Sequence, residues 1–150
     1  KKAVTLLPDE QLEALLDKMS GYVSIDERIL VLARYHHLRP DILEKAATRW
    51  PKLNIDFTSI HASKGQQADY VIVVGLQDGK EGFPAPARES VIEQGLLPQP
   101  EEYPDAEERR LLYVALTRAR HRVWLLYSKP NPSRFVPILE ALGVPVAKKP

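Results

Sequence analysis

Two arginines and one crowded polar loop are the residues of this chain whose types and positions could do chemistry. Arg118 lies in the run Glu107-Glu108-Arg109-Arg110-Leu111-Leu112-Tyr113-Val114-Ala115-Leu116-Thr117-Arg118-Ala119-Arg120. Leu111, Ala115 and Arg118 are spaced i, i+4, i+7, so on a helix the arginine comes off the apolar face. A guanidinium there either sits in solvent, favoured by the negative end of the helix dipole, or pairs in two-pronged fashion with a phosphate. Arg34 directly follows the apolar run Ile29-Leu30-Val31-Leu32-Ala33. Its place at a strand end stands out, although alone it reads as a surface arginine. Ser59-Ile60-His61-Ala62-Ser63-Lys64-Gly65-Gln66-Gln67 gathers hydroxyls, an imidazole and amides at another strand end. Such groups suit phosphate contacts, and they equally suit a plain polar loop.

Other chemistries are excluded. The chain has no cysteine, so thiolate metal sites, cysteine nucleophiles, disulfides and iron–sulfur clusters are ruled out. His36, His37, His61 and His121 lack the spacing of a structural zinc site, and no metal ligand is expected. No Gly-x-x-x-x-Gly-Lys-Ser/Thr loop is present to cradle phosphates, and no acidic pair follows an apolar strand to hold magnesium. The net charge of +1 excludes a polybasic protein that binds nucleic acid through charge alone. At 44% hydrophobic and 27% charged residues, the chain can bury a core.

The elements that must hold these residues follow from periodicity. Leu7-Pro8-Asp9 opens a helix whose buried face is Leu12, Leu15, Leu16 and Met19, ended by Gly21. The runs at 29–33, 70–74 and 123–127 are short and apolar on both faces, the pattern of buried parallel strands. Residues 55–60 form a further strand. A second helix starts at Pro40-Asp41, buries Ile42, Leu43, Ala46, Ala47 and Trp50, and stops at Pro51. Residues 77–104 are rich in Gly and Pro and read as a long, mobile loop with one short helix at 88–95. Asp105 and Glu108 make a capping-box pattern for a third helix reaching Thr117. A last helix spans 135–142, and Lys148-Lys149-Pro150 reads as a frayed tail. The order implies one α/β domain over residues 1–150 with a mostly parallel sheet and site residues at strand ends. No apolar run approaches the ~18 residues of a membrane span, so a soluble, cytoplasmic protein without membrane partners is expected. A chain beginning Lys1-Lys2 reads as a fragment of a longer one.

Together these stretches resemble the Rep/UvrD-like superfamily 1 helicases. Ser59 to Gly65, continuing to Gly75-Leu76, is similar to their motif V. The segment 107–120 is similar to motif VI, and 28–34 to motif IV, all in the family's order. The resemblance implies a RecA-like lobe of the P-loop NTPase fold that lacks its own phosphate loop. It further implies a motor that uses ATP with Mg2+ and moves 3′ to 5′ on single-stranded DNA. The phosphate loop and the magnesium would belong to an N-terminal RecA-like lobe of the same polypeptide. By position, Arg118 would be the arginine finger and Arg34 a second arginine at the γ-phosphate. Gly65 and Gln67 would lie at the nucleotide, Ser59, His61, Ser63 and Lys64 at DNA, and Tyr113 would support the arginine geometry. Two departures are visible. Gln67 stands where the family usually has a ribose-binding Glu. Only about 20 residues separate the motif IV strand from motif V, leaving no room for the extra subdomain of larger relatives. Two rivals share the same lobe: an ATPase that remodels a protein–nucleic-acid complex such as stalled RNA polymerase, and a non-catalytic DNA- or protein-binding lobe.

Overall fold

The computed structural model describes residues 3–85 and 105–150. Five strands form one sheet, β1 (Ala3–Pro8), β2 (Arg28–Ala33), β3 (Asn54–Ser59), β4 (Ala68–Leu76) and β5 (Ala119–Tyr127). Their spatial order is β1-β5-β4-β2-β3, and every pairing is parallel. Parallel neighbours need crossovers, and these carry α1 (Leu12–Met19), α2 (Ala46–Arg49) and α3 (Ala106–Thr117), with α4 (Phe135–Ala141) following β5.

Both faces of the sheet are covered, which is why its strands read as continuous apolar runs. Alternation divides the core in two. Ile29, Val31, Ile72, Trp124 and Leu126 face α1 and the 41–50 segment. Leu30, Leu32, Val71, Val73, Val123 and Leu125 face α3 and α4. The α/β, RecA-like expectation of a parallel sheet layered by helices on both faces is met.

Four local expectations are corrected. The first six described residues are a strand and not a helix opening, because Val4 to Leu7 find β5 beside them. The second helix begins as a 3-10 turn at Asp41–Lys45, and only four residues of α-helix follow. That change of pitch breaks the 3.6-residue stripe. Leu43 and Trp50 are buried, while Ala47 is exposed. The capping box does not form. Asp105 is left-handed (φ 59°), so its side chain cannot cap, and it pairs with Arg134 at 2.9 Å. The C-terminal segment is not frayed: Ala147 N–H donates to the Leu6 carbonyl at 2.8 Å, and Leu6 N–H to the Pro145 carbonyl at 2.9 Å. The Lys18 ammonium also donates to the Pro150 carbonyl. The short helix expected at 88–95 and most of the 77–104 loop lie outside the described residues.

The described start of that loop, 77–85, is tightly folded. Phe83 is fully buried, meets Phe135 edge-on at 5.2 Å, and its carbonyl accepts from the Ser133 hydroxyl. Gly82 has no space for a side chain. A Cβ there would lie 3.0 Å from the Gly79 carbonyl oxygen and closer still to that of Gln77. Gly82→Ala is therefore expected to destabilise the domain by ~1–3 kcal/mol, as overpacking against unyielding backbone does. The urea midpoint checks this, and an unchanged midpoint would show that the turn can open without loss.

Candidate nucleotide and DNA site

Parallel strands give the sheet two distinct edges, and the candidate residues divide between them. At the C-terminal edge, Ala33 and Ser59 are register partners, and Ile60 N–H donates to the Ala33 carbonyl at 2.9 Å. Ser59, His61 and Arg34 therefore emerge side by side. His61 opens a 3-10 turn and is exposed. The Ser59 hydroxyl accepts from Ala62 N–H at 3.2 Å, which holds that turn.

The chain then crosses the sheet from Ile60, fully buried beneath it, to Ala68 at the N-terminal edge. Gly65 bends this crossing with φ 77°, a left-handed conformation that disfavours any side chain. Arg28 receives the crossing at its far end. Its guanidinium donates to the Gln67 carbonyl at 3.1 Å and to the Gln66 side-chain oxygen at 2.8 Å. Gln67 itself is exposed. Lys64 is exposed midway.

Ser63 departs from the expectation for a DNA-contacting hydroxyl. It is fully buried and its hydroxyl donates to the Ile60 carbonyl at 2.5 Å. It serves the turn and presents nothing to a ligand.

Arg118 caps α3 at the N-terminal edge, where its carbonyl accepts from Ala68 N–H at 2.9 Å. It is thus adjacent to Gln67. The arginine is half-buried, and its Nε is buried without a hydrogen-bond partner among the described residues. The Nε of Arg122 shares this state, and burying such a donor unpaired costs roughly 1–3 kcal/mol. Tyr113, expected to support this arginine, is 68% exposed on the outer face of α3.

Arg34 is elsewhere. Its Nε and Nη2 donate to the two carboxylate oxygens of Glu108 at 2.9 and 3.1 Å, and the guanidinium lies 4.7 Å over the Tyr35 ring. The two side chains are only 13% and 10% exposed. Burial pulls the arginine pKa down, but the hydrogen bond and charge of Glu108 outweigh it, and the net direction is up. Glu108 stands ten positions before Arg118 on one helix, or ~15 Å along its axis. Arg34 is thus paired near the start of α3, whereas Arg118 stands at its end.

Sequence reasoning missed Glu108 and Arg28. Glu108 fits a capping box in sequence, yet it is spaced with Leu111, Leu112 and Ala115 on the buried face. That spacing was the available signal. A three-residue group also forms that spacing along the chain could not reveal: Glu27, Asp69 and His121 bring one ligand atom each within 4.8 Å of one another. Asp69 already accepts from Arg28 N–H at 2.8 Å and Glu27 from Ser24 N–H at 3.0 Å. His121 packs on Tyr70, which in turn meets Trp124.

Motif order and the parallel sheet layered by helices point to a helicase-type C-terminal domain. The family model for the UvrD-like helicase C-terminal domain matches residues 10–130, and the chain belongs to that family. It is 73% identical to DNA helicase IV of Escherichia coli K12 over all 150 residues, which is 22% of that protein. It is 36% identical to the ATP-dependent DNA helicase UvrD2 of Mycobacterium tuberculosis, covering 66% of this chain and 14% of that one. With E. coli DNA helicase II it shares 29% over 85% of this chain and 18% of the relative. The chain thus spans about a fifth of these relatives or less. A solved C-terminal domain of a possible DNA helicase from Lactobacillus plantarum WCFS1 has the same fold, with TM-score 0.55, 15% identity, and coverage of 97% of this chain and 84% of that one. Among the described residues no helix is long and apolar enough to cross a membrane.

Proposed function

We propose that this chain is the C-terminal motor lobe of a cytoplasmic, ATP-dependent 3′–5′ DNA helicase. One observation carries the reading: half-buried Arg118 ends α3 where its carbonyl accepts from Ala68 N–H, directly after the 65–67 turn. A guanidinium at that place suits a polyphosphate, and the exposed amide of Gln67 suits a ribose hydroxyl. Bound ATP supplies the phosphoanhydride whose cleavage drives the motion. Arg118 neutralises charge on the transferred phosphoryl, and Gln67 and Gly65 line the nucleotide's place. Mg2+ and the phosphate loop come from an N-terminal lobe of the same polypeptide. At the opposite edge Ser59 and His61, with Lys64 on the crossing, grip single-stranded DNA. Because the crossing joins the two groups, closure on nucleotide moves the DNA grip.

Strand separation by the full-length protein tests this directly. Unwinding of duplexes with a 3′ single-stranded tail, dependent on ATP, is expected. ATP turnover with no unwinding would favour a remodelling ATPase, and no turnover at all would favour a binding lobe. Either result would overturn the helicase reading.

The DNA group makes a graded prediction. Lys64→Ala removes one phosphate contact, so the slope of log affinity against log salt should fall by ~0.7 for single strands. Ser63→Ala should leave that slope unchanged, since its hydroxyl is turned inward. Salt titrations of oligonucleotide binding read both, and a slope lowered by Ser63→Ala would put that hydroxyl back at DNA.

A further inference from the structure

We propose that Arg34 and Glu108 are positioning residues that hold α3, and through it Arg118, and that Arg34 does not itself meet the nucleotide. The inference rests on the proposed motor reading. Glu108 sits in the first turn of α3 and accepts three hydrogen bonds from two separate segments. Two come from Arg34 at the end of β2, and the third from Ala85 N–H at 2.6 Å, at the end of the 77–85 turn. That turn is pinned in its own right through Phe83 and Ser133. One buried carboxylate thus fixes the N-terminal end of α3 to two anchored pieces of backbone.

The other end of the same helix carries Arg118. A 12-residue helix is a stiff rod of ~18 Å, so a shift or roll at Glu108 is delivered to Arg118 with little loss. The position of a group at the chemistry matters steeply, with ~10²-fold in rate for a misplacement of ~1 Å. Arg34 is also joined to the DNA side, since Ala33 before it holds Ile60, between Ser59 and His61. The pair therefore lies where the DNA grip and the phosphate-facing helix meet. A direct role of Arg34 at phosphate would have to break both contacts to Glu108. It would leave that carboxylate buried and uncompensated, at the wrong end of the helix.

A double-mutant cycle in the full-length protein distinguishes the two roles. Arg34→Met, Glu108→Gln and the double variant are compared for DNA-stimulated ATP turnover and for hydrogen exchange of the α3 amides. If the pair positions α3, each single change lowers turnover roughly 10- to 100-fold. The double variant is then no worse than the poorer single one, and exchange in α3 speeds up in all three. If Arg34 meets the γ-phosphate, adding Arg34→Met to Glu108→Gln lowers turnover by a further ~10³-fold, and α3 exchange in Glu108→Gln stays as in the wild type. That result would overturn the proposal. Arg34→Lys keeps one contact and the charge, and replaces Arg34→Met where the latter does not fold. It should retain most turnover as a positioning residue and lose nearly all of it as a phosphate ligand. A wild-type protein without DNA-stimulated turnover would count against the motor reading alone. The exchange measurement would still decide whether the pair holds the helix.

Discussion

Arg118→Ala in the full-length protein is expected to reduce ATP turnover by ~10³-fold or more, in line with the loss of an arginine finger. The same change should barely affect folding. The Nε of Arg118 has no partner among the described residues, so truncation strands no acceptor there. What is lost is the favourable charge at the end of α3, worth about 1 kcal/mol or less. Affinity for single-stranded DNA should also hold, since Ser59 and His61 emerge at the opposite edge of the sheet. Arg118→Lys should restore little, because an ammonium cannot reproduce the planar, two-pronged contact. Paired measurements of turnover, DNA affinity and thermal midpoint are needed. A large fall in midpoint with turnover per folded molecule preserved would make Arg118 structural.

The largest stability effect is expected at Glu108. Glu108→Ala leaves the Arg34 guanidinium, 13% exposed, without its counter-charge and the Ala85 amide without its acceptor. Breaking one side of a buried pair costs ~3–5 kcal/mol. Replacing both partners is a different matter. Arg34→Met with Glu108→Leu removes the stranded charge, and buried pairs exchanged for apolar residues are often neutral. The double variant should therefore recover most of the loss, short of ~1–3 kcal/mol for the unpaired Ala85 amide. Urea unfolding of the chain, followed through the buried Trp50 and Trp124, reads these differences. A double variant no more stable than Glu108→Ala would mean that the carboxylate matters for the Ala85 turn and not for the arginine.

The strands that sequence made legible are those buried on both faces. Tyr70 to Val74 and Val123 to Leu126 needed no partner to be recognised, since a continuous apolar run of that length has few other uses. β1 escaped because its apolar residues run straight into a helical pattern. Its sheet partner among the described residues, β5, lies more than a hundred residues away. For the site, the residue types were legible and their directions were not. Ser63 has the hydroxyl a phosphate contact needs, but the 3-10 turn points it at Ile60. Asp105 and Glu108 have the spacing of a capping box, but a left-handed Asp105 sends one carboxylate to Arg134 and leaves the other to Arg34. Arg34 and Arg118 look alike on paper as strand-end and helix-end cations. Only the parallel topology shows that they occupy opposite edges.

That distant partnership of β1 also sets an order of events during synthesis. β1 is an edge strand and, among the described residues, its sheet neighbour is β5. Some 110 residues separate Pro8 from Ala119. At ~5–20 residues per second, β1 leaves the ribosome on the order of ten seconds before its neighbour exists. Strands β2, β3 and β4 lie close in sequence and can pair early, whereas the β1 edge closes last, when the segment carrying Val146 comes alongside Leu6. A nascent chain paused before β5 would carry Val4 to Leu7 without the strand they pair with, and that mostly apolar stretch is where a holding chaperone should be found crosslinked.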